Sequence, residues 1–310
     1  MTRAGFVAVI GAPNAGKSTL VNRLVGSKVS IVTRKVQTTR FPVRGVAMDG
    51  ESQMVLVDTP GIFTPRRRLD RAMVRAAWGG AQDADAVVHL VDTEAQARHA
   101  DGAGRGAERL AVQDAQTIAD GLKASSRRAI LALNKIDLVR KERLLGLTEA
   151  LFDPLIYSEV FMISASGGAG VGKLKATLAA LMPEGPWFYP AEQSADIPAH
   201  LLAAEITREK IYLRVHEELP YAAAVETTAF EERADGSARI EQTLFVERDS
   251  QRAILIGKGG ATLKWIGQAA REELAVLLDR PVHLFLHVKV DPRWSEDRGR
   301  YSEVGLDFDV

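Results

Sequence analysis

The stretch "GAPNAGKST", residues 11–19, sets two glycines, a lysine and two hydroxyl residues at the spacing GxxxxGK[ST]. That combination can cradle phosphates. Gly11 and Gly16 leave room for backbone amides to wrap phosphate oxygens, Lys17 puts a point charge against the outer phosphates, and the Ser18 hydroxyl is spaced to ligate Mg²⁺. Asn14, Ala15 and Thr19 complete the loop and its entry into a helix. Downstream, "VLVDTPG" supplies Asp58, suited to hold Mg²⁺ through a water, and Gly61, whose amide can meet a terminal phosphate. "LALNKID" supplies Asn134, Lys135 and Asp137. A carboxylate at Asp137 accepts two hydrogen bonds from the N1–H and 2-amino edge of guanine, an edge that adenine lacks. "ISAS", residues 163–166, offers backbone amides near the base carbonyl, at Ser164 and Ala165. One DxxG or one NKxD alone reads as a turn or a cap; all of them in this order specify a guanine-nucleotide site.

Transfer of a phosphoryl group at such a site rests on positioning and charge neutralisation. Lys17, Gly61 and a hydroxyl in "TRKVQTTR" (33–40) are the positions expected to act on the terminal phosphate. Either Thr38 or Thr39 can complete the Mg²⁺ shell, and position favours Thr39. The residue after "DTPG" is Ile62, which cannot hydrogen-bond an attacking water. Slow intrinsic turnover, or charge supplied from elsewhere, is therefore expected.

Two other glycine loops look alike and differ in chemistry. "GGAGVGKL" has Leu174 where a Mg²⁺-ligating hydroxyl belongs, and it follows "ISAS" directly, so it reads as the turn into the last helix of the first domain. "GKGG", residues 257–260, would need glycine at Arg252 and a hydroxyl at Gly259 to be a phosphate loop. A GxxG between two helices, within an order α-β-β-α-α-β, is instead the arrangement of a type II KH domain, whose loop clamps about four single-stranded nucleotides. Arg252, Gly257, Lys258, Gly259, Gly260 and Lys264 are the candidate RNA contacts. Trp265 is expected in the core.

The elements that must position these residues follow from hydropathy. "FVAVIG", "QMVLVDTPG", "AVVHLVD", "AILALNKID" and "EVFMISA" are apolar runs ending in polar residues or glycine, most of them separated by enough chain for a crossover helix. That pattern predicts a mostly parallel sheet with ligands at the carboxyl ends of its strands. His89, inside one run, is expected on a strand face or in the core. Four prolines in 183–198 mark a linker. After it come a helical segment, a hairpin about "ADGS", two helices around "GKGG" and a last strand "VHLFLHVKV". The segment 98–109 is expected to be a flexible Gly-rich loop. The expected fold is α/β, a Ras-like P-loop domain over 1–188, a linker over 189–198 and, over 199–310, a smaller α+β type II KH domain with a C-terminal tail.

Composition excludes several classes. The chain has no cysteine, so disulfides and thiolate metal sites are out. No run approaches the length of a membrane span, and "FVAVI" leads into a glycine loop rather than a cleavage site. A cytoplasmic protein is the default. Net charge is zero, yet residues 195–310 carry 15 basic against 21 acidic side chains. An acidic domain argues against broad duplex binding, and no DNA partner is expected. The window Ser250–Arg271 nevertheless holds four basic residues and no acidic one, enough for a short single strand given screening lengths of about 8–10 Å.

In sequence, "GAPNAGKST", "QTTR", "DTPGI", "NKID", "SAS", "ELPY", "VER", "IGKGG" and "PVHLFLHVKV" resemble the Era family of bacterial GTPases nearly end to end and in the same order. The Gly-rich 98–109 segment departs from the family's pattern. The resemblance implies GTP hydrolysis with Mg²⁺ and binding of the 3′ end of small-subunit (16S) ribosomal RNA. It also implies a role in maturing the 30S subunit, a preference for RNA when GTP-loaded, and peripheral contact with the inner membrane. Through Asn14, with a hydrophobic residue after DxxG, it further implies a potassium ion beside the phosphates. Two other readings remain at this level: a membrane signalling GTPase whose second domain binds protein, and an RNA-binding module whose nucleotide site is structural.

Overall fold

Residues 1–33, 35, 37–215 and 219–310 are described in the computed structural model. Arg34 and Val36 of "TRKVQTTR", and His216, Glu217 and Glu218 of "HEELPY", lie outside the described residues. The chain divides into two compact units, Met1–Asp196 with Tyr301–Val310, and Ile197–Arg300.

The first unit begins with β1 (Arg3–Gly11), α1 (Lys17–Val25), β2 (Val43–Asp49), β3 (Ser52–Asp58) and α2 (Arg68–Asp83). It continues through β4 (Ala86–Asp92), α3 (Thr93–Ala100), α4 (Gly106–Ala124), β5 (Ala129–Asn134) and α5 (Lys141–Leu151). β6 (Tyr157–Met162), α6 (Val171–Leu181) and β7 (Ala195–Asp196) complete it. The sheet order is β6-β5-β4-β1-β3-β2-β7. The five apolar runs form the parallel strands β1, β3, β4, β5 and β6. β2 pairs antiparallel with β3 and with the two-residue β7.

Alternation along β1 feeds both faces of this sheet. Val7 and Val9 join a core with Leu20, Leu24 and Leu178, while Ala8 and Ile10 join one with Ile62, Ile118 and Leu122. Burial on both faces explains why the parallel strands read as continuous apolar runs. His89 sits in this core, 1 % exposed, its Nδ1 2.7 Å from the Tyr157 hydroxyl. Burial pushes its pKa down to about 3, so it is a neutral structural residue. Register aligns the chemistry: Val9 lies opposite Asp58, Gly11 opposite Leu90, and Asp92 opposite Asn134. The carboxyl ends of β1, β3, β4 and β5 thus form one rim.

The expected 98–109 loop is mostly helix. α3 runs to Ala100 and α4 starts at Gly106, leaving only 101–105 between them. The ends are fixed locally: Arg98 pairs with Glu94 and Glu108, and Glu108 Oε2 accepts from the Arg105 amide at 3.1 Å. A carboxylate three residues into a helix satisfies an amide there, which outweighs the local glycine content.

The second unit contains α7 (Ala199–Arg214), β8 (Ala223–Glu232), β9 (Ala238–Val246), α8 (Asp249–Ile256), α9 (Ala261–Leu277) and β10 (Val282–Val290). Its sheet order is β10-β9-β8, with β8–β9 antiparallel and β9–β10 parallel. The parallel pair requires a crossover, which α8, the GKGG loop and α9 provide. Leu255 and Ile266 anchor these two helices in the core with Ile211, Leu244 and Val246. A short helix, α10 (Arg298–Glu303), precedes the last residues.

The C-terminal tail, residues 301–310, groups with the first unit. Leu306 is buried, Arg75 pairs with Asp307 at 3.3 Å, and the Arg68 guanidinium lies 4.3 Å from the Phe308 ring centre. Arg71 Nε donates to the main-chain oxygen of Val310. Arg68, Arg71 and Arg75 share one face of α2 by their spacing.

Candidate nucleotide site and RNA-contacting loop

The first loop leaves β1 at Gly11 and enters α1 at Lys17. Gly16 has φ 101°, and a Cβ there would lie 2.4 Å from Asn134 Nδ2. Glycine is therefore required twice over, for the left-handed backbone and for the approach of the NKID strand. Lys17 is buried, with Nζ donating to the carbonyls of Gly11 at 3.1 Å and Ala12 at 2.9 Å. Burial lowers its pKa to about 8, against the opposing pull of Asp58 and Asp114. Asn14 is exposed at φ 62°, while Ala15 is buried.

Oxygen donors converge beside this loop. Ser18 Oγ lies 2.9 Å from Thr39 Oγ1, which donates to Asp58 Oδ2 at 3.1 Å. Asp58 is fully buried, and its other oxygen, Oδ1, has no hydrogen-bond partner. Burial raises its pKa, while Lys17 and neighbouring hydroxyls pull the other way. The buried Ser30 borders the same carboxylate. A desolvated carboxylate with an orphaned oxygen, ringed by hydroxyls, fits a hard divalent cation such as Mg²⁺. Thr38 turns elsewhere: its Oγ1 lies 2.6 Å from Thr33 Oγ1 and donates to the Lys35 carbonyl. Of the two adjacent threonines, Thr39 is the one beside Ser18 and Asp58.

Gly61 is packed against the loop, where a Cβ would lie 2.9 Å from the Pro13 ring. Ile62 is buried, and its amide donates to the Gly11 carbonyl at 3.1 Å. Its side chain faces the core with Ile10 and Ile118 and reaches no phosphate position.

At the base end, Asn134 ties two loops together. Its Nδ2 donates to the Ala15 carbonyl at 2.7 Å, and its Oδ1 accepts from the Ala165 amide at 2.9 Å. Lys135, at φ 64°, pairs with Asp92, whose other oxygen caps α3 at the Ala95 amide. Asp137 is exposed, available to a base, while Ser164 and Ala165 are buried with main-chain groups forming the wall. A cleft of about 390 Å³ beside this wall is lined by residues including Thr19, Asn22, Arg23, Lys28, Ala165 and Ser166.

Four contributors were not found by sequence reasoning. Arg23 holds the SAS loop by donating to the carbonyls of Ala165 and Ser166. Asn22 fixes Ser30 by accepting from the amides of Val29 and Ser30 and donating to the Ser30 carbonyl. Asp92 and Ser30 act across the fold. An aspartate at the end of the apolar run "AVVHLVD" was the available signal for Asp92; the others carry none outside three-dimensional contact.

"GGAGVGKL" is a turn into α6, with Leu174 buried and Lys173 exposed. The later loop is different. At Gly257 (φ 74°) a Cβ would meet Thr262 Oγ1 at 2.3 Å, so this glycine closes the loop onto α9. Gly259 and Gly260 also have positive φ, yet open space surrounds the positions their Cβ atoms would take. Lys258, Arg252 and Lys264 are exposed around that space. Trp265 is not in the core: it is 39 % exposed and absent from the cluster that holds Ile266.

A phosphate loop, DTPG and NKID on the carboxyl rim of a mostly parallel sheet define a P-loop GTPase unit, and the second unit is a KH fold. Residues 6–135 match the model of a 50S ribosome-binding GTPase domain, and residues 218–295 match the KH domain model. The chain is 70 % identical to GTPase Era of Caulobacter vibrioides, over all of this chain and 98 % of that protein. It is 58 % identical to GTPase Era of Maricaulis maris, over 99 % and 98 % of the two chains. Among solved structures, Era in complex with MgGDPNP and nucleotides 1506–1542 of 16S ribosomal RNA superposes with TM-score 0.87 at 34 % identity, covering 98 % of this chain and 99 % of that one. A single-residue variant of Aquifex aeolicus Era bound to GDP·AlF4⁻ gives the same TM-score, identity and coverage. The chain belongs to the Era family of GTPases.

Proposed function

We propose that this GTPase binds the single-stranded 3′ end of small-subunit ribosomal RNA through Gly257–Gly260 and assists 30S maturation, with GTP as the state-setting ligand. The observation that carries the reading is the pair of sites on one chain: a complete guanine-nucleotide rim and an open, basic GxxG loop. The full-length structural neighbour bound to MgGDPNP and a 16S fragment supports it. The 50S description belongs to a model covering only the nucleotide unit, so the choice of subunit rests on the full-length neighbour.

In this reading Lys17, Gly61 and the amides of 14–19 receive the phosphates, and Asn134, Lys135, Asp137, Ser164 and Ala165 receive guanine. Ser18, Thr39 and Asp58 would hold Mg²⁺, which neutralises charge at the outer phosphates when bound. Ile62 supplies no polar group to the attacking water, so intrinsic hydrolysis is slow. Potassium beside Asn14 is the proposed source of further charge. Turnover faster in KCl than in NaCl is expected, and equal rates would remove potassium from the reading. Peripheral contact with the inner membrane rests on family resemblance alone. Among the described residues no helix is long and apolar enough to cross a membrane, and failure to cosediment with anionic vesicles would discard the contact.

Binding of a fluorescent oligonucleotide with the 16S 3′-terminal sequence tests the partner. At least about tenfold preference over a scrambled strand is expected; equal affinity for both would reject 16S recognition.

Lys17 adds a pH signature. Its depressed pKa of about 8 is that of the free site, and phosphate favours the charged form. At pH 7 and below, binding takes up almost no proton at Lys17. Above about pH 8, uptake approaches one proton and affinity falls up to about tenfold per pH unit, whereas an ordinary lysine holds until about 10.4. Calorimetry of GDP binding at pH 7 and pH 8.5, in buffers of different ionisation heat, reads that proton directly. The same proton count at both pH values would contradict it.

A further inference from the structure

We propose that Trp265, with Arg214 beside it, is a stacking platform for one nucleobase of single-stranded RNA just beyond the Gly257–Gly260 loop. This rests on the RNA-binding reading of the second unit.

Trp265 does not serve the core. Its helix neighbours do so, with Ile266 fully buried and Leu263 packed on the same cluster, while the indole stands outside it, 39 % exposed. Ala261, Lys264, Trp265 and Gln268 recur at helical spacing and are all exposed, so an open stripe runs down α9 from the loop. Trp265 is five residues from Gly260, about 7.5 Å along the axis at 1.5 Å per residue. A nucleotide adjoining those clamped by the loop can cover that span. The small Ala261 leaves the path clear.

The second observation is Arg214. Its guanidinium lies 5.4 Å from the Trp265 ring centre, within cation–π range, and it projects from the last turn of α7, where a cation is favoured. Arg214 and Lys264 are exposed and can meet phosphate beside the stacked base. The charge fits one kind of occupant: Ser250–Arg271 carries four basic side chains and no acidic one. The nearest acidic residue further down α9, Glu272, accepts from Gln268. A flat ring, a guanidinium within cation–π range of it and flanking cations are the elements that hold bases of single strands without reading their identity.

The test uses the full chain loaded with a non-hydrolysable GTP analogue. RNA affinity is measured for a four-nucleotide strand, which fills only the loop, and for an eight-nucleotide strand. Trp265→Ala is expected to weaken the longer RNA about tenfold and leave the shorter one unchanged, with Trp265→Phe restoring most of the loss. Arg214→Ala should weaken the longer RNA several-fold. Equal affinity of the parent and Trp265→Ala for the longer RNA would overturn the proposal. So would an equal loss on both strands, which would mean that Trp265 acts by shaping the loop. Thermal unfolding of Trp265→Ala at the parent temperature accompanies the expected result. If the unsubstituted chain binds neither strand, the RNA reading itself has failed.

Discussion

Replacing Asp137 by Asn transfers the nucleotide preference from GTP to XTP, with GTP affinity falling about 10³-fold. Asp137 is exposed just after Lys135, whose left-handed backbone and pairing with Asp92 fix the turn. Its carboxylate offers only acceptors, matched to the N1–H and 2-amino donors of guanine. Asn presents a donor in place of one acceptor, which suits the 2-oxo group of xanthine. The rim is otherwise untouched, because Asn134 makes the structural bonds to Ala15 and Ala165. Competition of GTP and XTP against a fluorescent nucleotide measures the exchange. Unchanged GTP preference would remove Asp137 from base recognition.

The second large effect lies at the other site. Lys258→Asp combined with Gly259→Asp should lower RNA affinity by more than about 10²-fold while GTP affinity stays within twofold. Both residues are exposed, and aspartate tolerates the φ of 60° found at Gly259 with nothing nearby to clash. The fold should therefore survive, and the loss should come from two negative charges placed where a phosphate approaches. RNA binding equal to that of the parent chain would show that the strand lies elsewhere.

What could be read from sequence follows from where the chemistry sits. The phosphate loop, DTPG and NKID each occupy a few contiguous residues at a strand end, so their local pattern carries both position and role. Burial of the parallel strands on both faces wrote them as apolar runs, whereas β2, "VRGVAMD", mixes charge and glycine, and β7 is two residues long. Neither leaves a periodic trace. Thr38 and Thr39 are chemically alike, and only the backbone direction turns Thr39 toward Ser18 and Asp58. Arg23 and Asp92 act on loops far along the chain, through contacts that no spacing encodes. The same holds for the final segment, whose acidic and aromatic residues meet the arginine face of α2. Trp265 shows the opposite error: a large aromatic in an amphipathic helix was expected to be core, but the buried face belongs to Ile266, Ala270 and Leu274, and the indole falls outside it.

The central claim is that one chain couples a guanine-nucleotide switch to an RNA clamp. The direct measurement is the affinity of the 16S 3′-terminal strand with GDP and with a non-hydrolysable GTP analogue, at two salt concentrations. Tighter binding with the analogue is expected, at least about tenfold, with log affinity falling against log salt at a slope of about −2 to −3, as three or four phosphate contacts give. The same affinity with both nucleotides would contradict coupling and leave two sites that share a chain without sharing a function.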